Sequence, residues 1–289
     1  MNNLSCIPFY KTKGEQDFRL WYAYGEKYTN CVPNDYLIPF FFSIPYGLLF
    51  NRTTVQFYKA CCNEELYVDA SVSATGDFYS RMVQNGLGLI TDDDRQETIM
   101  AYYANEVSSL NLTEGMYYMK ITLYSGMQVN AVYYSDVFSV RKREDLARMV
   151  MLEWRNKETL DYEGGFVPYG TIRNGKNFTN RLYLDTTIGM PEYKFTDDGE
   201  ERNGRFFPVK QISEKVYKMA FVAPEYLCDV MRLIRMADEI NIKDSLGRGY
   251  DVEQFEMEVK WSQGGHYAEV SCSFQTDTVV KKIGKSYNI

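Results

Sequence analysis

Acid–base chemistry near neutral pH most often runs through histidine, and this chain has one, His266, directly after the Gly264-Gly265 turn. Ser-His-Asp or Cys-His catalysis would have to rest on that single side chain, whose setting is that of a turn residue. Carboxylate pairs such as Asp161 with Glu163, or Asp197 with Glu200, have the groups a glycosidase needs, but any acidic chain offers such pairs and sequence spacing does not fix their separation in space. The run Asp92-Asp93-Asp94-Arg95 lacks the alternating oxygen ligands, glycine and distal glutamate of a calcium loop, so a solvated turn is expected there. Asn174-Gly175-Lys176 is too short for a phosphate loop, and neither GxSxG, GxxxxGK[ST], HExxH nor GxGxxG occurs. The six cysteines, Cys6, Cys31, Cys61, Cys62, Cys228 and Cys272, form no CxxC pair, and adjacent Cys61 and Cys62 are poorly placed to bond each other. They are expected to be reduced and mostly buried. No catalytic, cofactor-binding or metal-binding residue is assigned, no cofactor is implied, and an enzyme is not expected.

The elements that would have to position any site therefore carry the reading. At 289 residues, with 45% hydrophobic and 25% charged side chains, the chain can bury the cores of two ordinary domains. A net charge of -7 argues against a nonspecific nucleic-acid binder, which needs a basic face to displace counterions from phosphates. Tyrosine is the outlier, with 25 Tyr beside 17 Phe. Such rings suit pleated, half-buried sheets, and they also suit subunit interfaces or sugar stacking. The amino terminus has no basic region followed by an apolar core, so no secretion signal is expected and synthesis and assembly in a cytoplasm follow. The most apolar run, Tyr36 to Phe50, is too short to span a bilayer and is interrupted by Pro39 and Pro45, which reads as a buried strand and turn.

Two halves differ in texture. From Phe18 to Val140, short apolar-aromatic runs separated by polar turns (FRLWYAY, YLIPFFFSI, TVQFYKA, ELYVDASV, GLGLI, TIMAYYA, MYYMKITLY, AVYYSDVFSV) predict an immunoglobulin-like β-sandwich over residues 1–141. Leu110 to Val140 reads as two antiparallel strands, followed by the charge run Arg141 to Asp145 that marks the domain boundary. Residues 142–289 predict an α+β domain with an antiparallel sheet and at least one packed helix, making the whole mainly β. Ala147 to Arg155 fits a helix or a strand with Val150, Leu152 and Trp154 on one face, and the strand is preferred. Glu163 to Asn177 is too polar and punctuated for regular structure. The segment TDDGEERNGRFFPVKQ reads as a hairpin with Asp198-Gly199 and Asn203-Gly204 as turn signals, and Ser213 to Phe221 as a strand. Pro224 and Glu225 open a helix whose apolar face is Leu227, Val230, Met231, Ile234 and Ala237, with Arg232 and Arg235 on its solvated side. Phe255, Met257, Val259 and Trp261, with Ala268, Val270, Cys272 and Phe274, predict a closing hairpin with two apolar inner faces.

The segments RLYLDTTIGMPEYKF, NGRFFPVKQISEKVYKM and APEYLCDVMRLIRMAD resemble a recurring pattern in uncharacterised proteins of Bacteroides phages and prophages, including crAss-like viruses. The resemblance covers about the last two thirds of the chain and carries no catalytic residue. It implies a virion structural protein of the tail, neck or baseplate, built of sandwich-like domains that form rings or tubes. Its partners would be copies of itself and other virion proteins, with no nucleic acid and no membrane, and its location the virion, after assembly in the bacterial host cytoplasm. Sheet edges and polar loops would dock it, with Met1 to Glu15 and Glu163 to Asn180 as candidates for ordering on a neighbour. The competing expectation is a carbohydrate-binding sandwich for host attachment that stacks sugars on Trp21, Trp154 or Trp261, although Trp261 sits in an apolar stripe and reads as core.

Overall fold

The computed structural model describes residues 4–11, 30–34, 38–59, 65–66, 87–94, 96–102, 112–157, 160–162, 165–167, 171–172, 176–262 and 267–282. The first half supplies β1 (Phe9–Tyr10), β2 (Cys31–Pro33), β3 (Phe40–Pro45), β4 (Arg52–Lys59), β5 (Glu65–Leu66), β6 (Leu87–Asp92), β7 (Glu97–Tyr102), β8 (Gly115–Ser125), β9 (Gln128–Ser135) and β10 (Phe138–Arg141). β8 is the hub of the first sheet. One of its edges pairs with β4, and the other pairs with β9 and then β10, which are one strand line broken at Asp136-Val137. β1 extends the sheet beside β9, β2 runs parallel to β10, and β5 lies beyond β4. The break is a satisfied one, because Ser135 Oγ accepts from Met119 N and donates to Asp136 O, while Asp136 Oδ1 accepts from Val137 N.

Strands β3, β7 and β6 form a second antiparallel sheet. Rings join the two sheets. Phe9 of the first lies 5.0 Å from Phe40 and 4.7 Å from Phe42 of the second, and Phe42 lies 4.8 Å from Tyr133. The alternation that predicts strands is the alternation that fills this space: Val55 and Phe57 of β4 lie opposite Ile121 and Met119 of β8, all buried. Tyr58 and Tyr118 stack at 5.1 Å and are buried with Met116 and Val137 in a smaller cluster of their own. Tyrosine is abundant in these strands because their rings are core.

The second half begins with the short helix α1 (Arg143–Leu146), then β11 (Val150–Arg155), β12 (Leu160–Tyr162), β13 (Gly165–Val167), β14 (Thr171–Ile172), β15 (Lys176–Asn177), β16 (Asn180–Leu184), β17 (Glu192–Arg202) and β18 (Arg205–Pro224). Helix α2 (Glu225–Met231), a 3-10 turn (Ile234–Met236), β19 (Glu239–Lys243), β20 (Gly249–Asp251), β21 (Gln254–Trp261) and β22 (Tyr267–Lys282) complete it. Two four-stranded antiparallel sheets result, ordered β16-β11-β19-β20 and β17-β18-β22-β21. They meet across Tyr217, Tyr250 and Phe274, whose ring centroids lie 4.8 to 5.6 Å apart. One continuous buried cluster runs from Leu4 to Phe274 across the 141/142 boundary, and Phe41 meets Phe178 edge to face at 5.9 Å.

Several expectations need correction. Within and just past the charge run, Arg143 to Leu146 forms α1, anchored by buried Leu146, a helix that the sequence reading did not place there. Leu110 to Val140 holds three strands rather than two, since Asp136-Val137 interrupts the returning line. Within Glu163 to Asn177, expected to be irregular, the described residues include paired strands: β13 pairs with β12, and β14 with β15. The helix predicted to reach Ala237 stops at Met231, where Arg232 caps it, and a separate 3-10 turn places Ile234 in the core. Asp198-Gly199 is not a turn but a register shift inside β17. The segment Leu4 to Phe9 is buried and tied in by the Phe41 N–H to Ser5 Oγ bond at 3.1 Å, and Phe178 and Asn180 are fully buried, so neither proposed docking loop is free along those stretches. The strand at Val150–Arg155 is as expected, with Val150, Leu152 and Trp154 buried.

Candidate assembly interface

The long hairpin β17–β18 is sequence-encoded at its tip. Asn203 and Gly204 both adopt positive φ, 53° and 73°, the backbone that lets a two-residue turn follow the twist of its strands. Behind the tip, β17, residues 205–215 of β18 and the end of β22 form an arm, three-stranded as far as Lys210 and two-stranded beyond it, with no second layer over it among the described residues. All of β17 except Gly199 is exposed, whereas β18 becomes buried only from Val216. Eleven residues at a strand's rise make the arm about 35 Å long. Its root is the irregularity between Ser213 and Lys215, where Asp277 of β22 takes φ 53° and lies 4.0 Å from the Lys215 ammonium.

Apolar side chains continue onto the arm. The face that buries Tyr217 and Met219 in the body carries Lys215, Ser213 and Gln211 further out, since residues two apart share a face, and past the register shift at Asp198/Gly199 the alternation of β18 changes phase and brings Phe206, opposite Glu201, to this face. Beside them on that face lie Tyr193, Phe195 and Val279, by pairing with Lys215 and Ser213. Phe195 is 76% and Val279 63% exposed, and Phe207 and Val280 are exposed on the opposite face. Contiguous exposed apolar surface rimmed by charge is the mark of an interaction site. Alternate residues of β17 also point their backbone N–H and C=O away from β18 on an edge that no described strand pairs, which is the ladder that strand addition uses.

Gly199 holds this arm in shape. A Cβ there would sit 2.2 Å from the Phe207 carbonyl oxygen and 2.8 Å from the Phe206 ring, so the two strands must part to admit any side chain. Gly199→Ala is expected to cost about 1–3 kcal/mol of local stability, seen as roughly tenfold or greater acceleration of amide exchange along β17. The thermal midpoint of the body should barely move, because the arm contributes little to its core.

Asp197 and Glu200 lie three residues apart along an exposed strand, about 10 Å, the first accepting from Gln211 Nε2 at 3.2 Å and the second held by Arg202. Asp93 and Asp94 are an exposed turn, with Asp93 accepting from Tyr46. Among the described residues no cluster of His, Cys, Asp and Glu could hold a metal, and no helix is long and apolar enough to cross a membrane. His266, Glu163, Trp21, Cys61, Cys62 and Asn174-Gly175 lie outside the described residues. Cys6, Cys31, Cys228 and Cys272 are buried, and burial pushes the Cys6 and Cys272 thiols up to about 12. Arg232 and Arg235 are solvent-facing, the former 3.7 Å from Asp229.

No protein-family model matches the chain, and no curated protein matches it. Function must therefore be argued from the molecule's own surfaces. Besides the arm, a groove of about 730 Å³ lies on the outer face of the β18-β22-β21 sheet, where Lys218, Ser273 and Glu256 form one cross-strand row and Ala220, Ser271 and Glu258 the next, beside Thr186 to Gly189. Its lysine is already paired, since Lys218 Nζ bonds Glu192 at 2.7 Å. Of the three tryptophans considered for sugar stacking, Trp154 is fully buried, while Trp261, expected in the core, is 49% exposed. The cause is the strand's position: β21 is the edge of its sheet, and the cover over Phe255 does not extend to its far end. The arm was missed as a site because its sequence reads as an ordinary hairpin; the signal was the pair of consecutive strands with no helix or third layer left to cover them.

Proposed function

We propose that this protein is a non-enzymatic structural component of a bacteriophage virion, in the tail, neck or baseplate, that assembles into a ring or tube through protein–protein interfaces. In this reading residues 1–141 are an immunoglobulin-like sandwich and residues 142–289 an α+β domain, and the partners are further copies and other virion proteins. The observation that carries it is the arm: an exposed sheet with an eleven-residue free edge and apolar side chains facing outward. Such an edge is a hazard in a protein that stays alone and a docking element in one that assembles. The test is mass spectrometry of purified virions from a Bacteroides host. The protein is expected in stoichiometric multiples with tail or neck proteins, and its absence from intact particles would refute the proposal.

Exposed Trp261 favours a second reading, a carbohydrate-binding module for host-surface attachment. A reproducible glycan-array hit lost in Trp261→Ala would establish it.

A further inference from the structure

The two outer edges of the arm differ in charge, and they match each other row by row. β17 carries Glu192, Asp197, Asp198, Glu200 and Glu201 against Lys194 and Arg202, five carboxylates and two cations, a net charge of -3. The opposite edge, at the end of β22, carries Lys281 and Lys282. Cross-strand pairing aligns Asp197 with Gln211 and Gln211 with Lys281, and aligns Asp198 with Lys210 and Lys210 with Lys282. The rows below run Thr196-Ile212-Val280 and Phe195-Ser213-Val279. Of these four rows the two that begin in an acid end in a lysine, and the row that begins in Phe195 ends in Val279. β17 and β22 are both antiparallel to β18, so they run in the same direction.

A second copy laid alongside without stagger would therefore place its β17 parallel to β22 of the first. Lys281 would then lie beside Asp197, Lys282 beside Asp198, and Val279 beside Phe195 on the same face. β21 pairs with β22 only through Gln275, so among the described residues no strand covers the edge from Val279 to Lys282. A two-fold contact of β17 with β17 would instead bring two strands of net charge -3 together, with Asp197 opposite Asp197 in the centred register. We propose that the arm pairs edge to edge with the arm of a second copy of this chain, β22 of one beside β17 of the next, in the register that matches Lys281 and Lys282 to Asp197 and Asp198. The contact is heterologous, so its repetition generates a closed ring or an open filament rather than a dimer. This rests on the assembly reading above and names the surfaces that would perform it.

Charge exchange tests it on the full chain. Lys281→Glu with Lys282→Glu, and separately Asp197→Lys with Asp198→Lys, are each expected to weaken self-association roughly 100-fold, because like charges then face each other. Mixing the two variants should restore assembly, since every junction again joins opposite charges, and sedimentation velocity reads all three states. A chain with both Thr196→Cys and Val280→Cys gives a second readout. Within one copy these positions are two strand spacings apart, about 9.6 Å, beyond disulfide reach, so a covalent ladder on a non-reducing gel can only join copies. Unchanged assembly in either charge variant, no recovery on mixing, a monomer at millimolar concentration, or a dimer cross-linked through Thr196→Cys alone would each overturn the inference. If the protein is found in virions while these tests fail, the edge pairing is wrong and the virion assignment stands. If it polymerises as described but is absent from virions, the reverse holds.

Discussion

Phe178→Ala is expected to destabilise the whole molecule by about 3–5 kcal/mol, the cost of truncating a fully buried aromatic. Phe178 is 0% exposed and meets Phe41 edge to face at 5.9 Å. Phe41 belongs to β3 in the first half, whereas Phe178 enters β16 in the second. The same junction holds Cys6, 3.8 Å from Asn180 Oδ1, and Asn30, whose Nδ2 donates to the Cys6 carbonyl at 2.8 Å. The buried cluster is continuous across this junction, so loss of the ring should lower a single cooperative unfolding transition. Tyrosine and tryptophan fluorescence and far-ultraviolet circular dichroism during urea unfolding check this: coincident, shifted curves are expected, and a split into two transitions with only one of them shifted would show that the halves fold independently.

Asp244→Asn is expected to cost about 2–3 kcal/mol at neutral pH, and the cost should disappear in acid. Asp244 is buried at the turn between β19 and β20 and accepts four hydrogen bonds, from Leu246 N at 2.9 Å, Arg248 N at 2.8 Å, Arg248 Nε at 2.7 Å and Tyr250 Oη at 3.1 Å. Burial alone would raise its pKa, but bonds from the Arg248 backbone and side chain, Tyr250 and Leu246 together hold it below the ordinary value. The folded state therefore binds the proton less tightly than the unfolded one. Stability from this carboxylate is complete above the unfolded pKa, near 4, and is lost as the pH falls through the lower folded value. The difference in stability between Asp244→Asn and the natural chain should thus be flat from pH 7 to about 5 and shrink below about 4. A difference that stays constant into acid would show that the charge is not what holds the turn. Tyr250, at the same turn, also joins the ring contacts with Tyr217 and Phe274, so the turn anchors one sheet to the other.

Where side chains alternate, the sequence and the structure agree. Val150, Leu152 and Trp154, or Phe255 with the returning Val270, Cys272 and Phe274, could be assigned to inward faces because a strand repeats every two residues regardless of what covers it. The mainly β class, the burial of the four described cysteines and the Asn203-Gly204 turn were legible on the same local grounds, since each depends on the residue and its neighbours in the chain. Glycine was ambiguous: Asn203-Gly204 turns the chain, whereas Gly199 keeps β17 extended and makes room for the Phe207 carbonyl. Only the partner strand distinguishes these.

What covers a face is not written in its periodicity. Phe195, Phe207 and Trp261 have the pattern of core residues and are exposed, while Leu4, Ile7 and Phe178, in segments that read as terminus and loop, are buried. The same holds for charge. Asp197 and Lys281 are 84 residues apart in sequence, and composition reports only a net -7; the sheet order places them at opposite ends of one cross-strand row, where they can match the neighbouring copy. Secondary structure follows from local periodicity and turn chemistry, so the sequence determined the strands by itself. Exposure and complementarity depend on which distant strands pack together, so only the tertiary structure decided that one sheet runs past the body as an arm with two unlike edges.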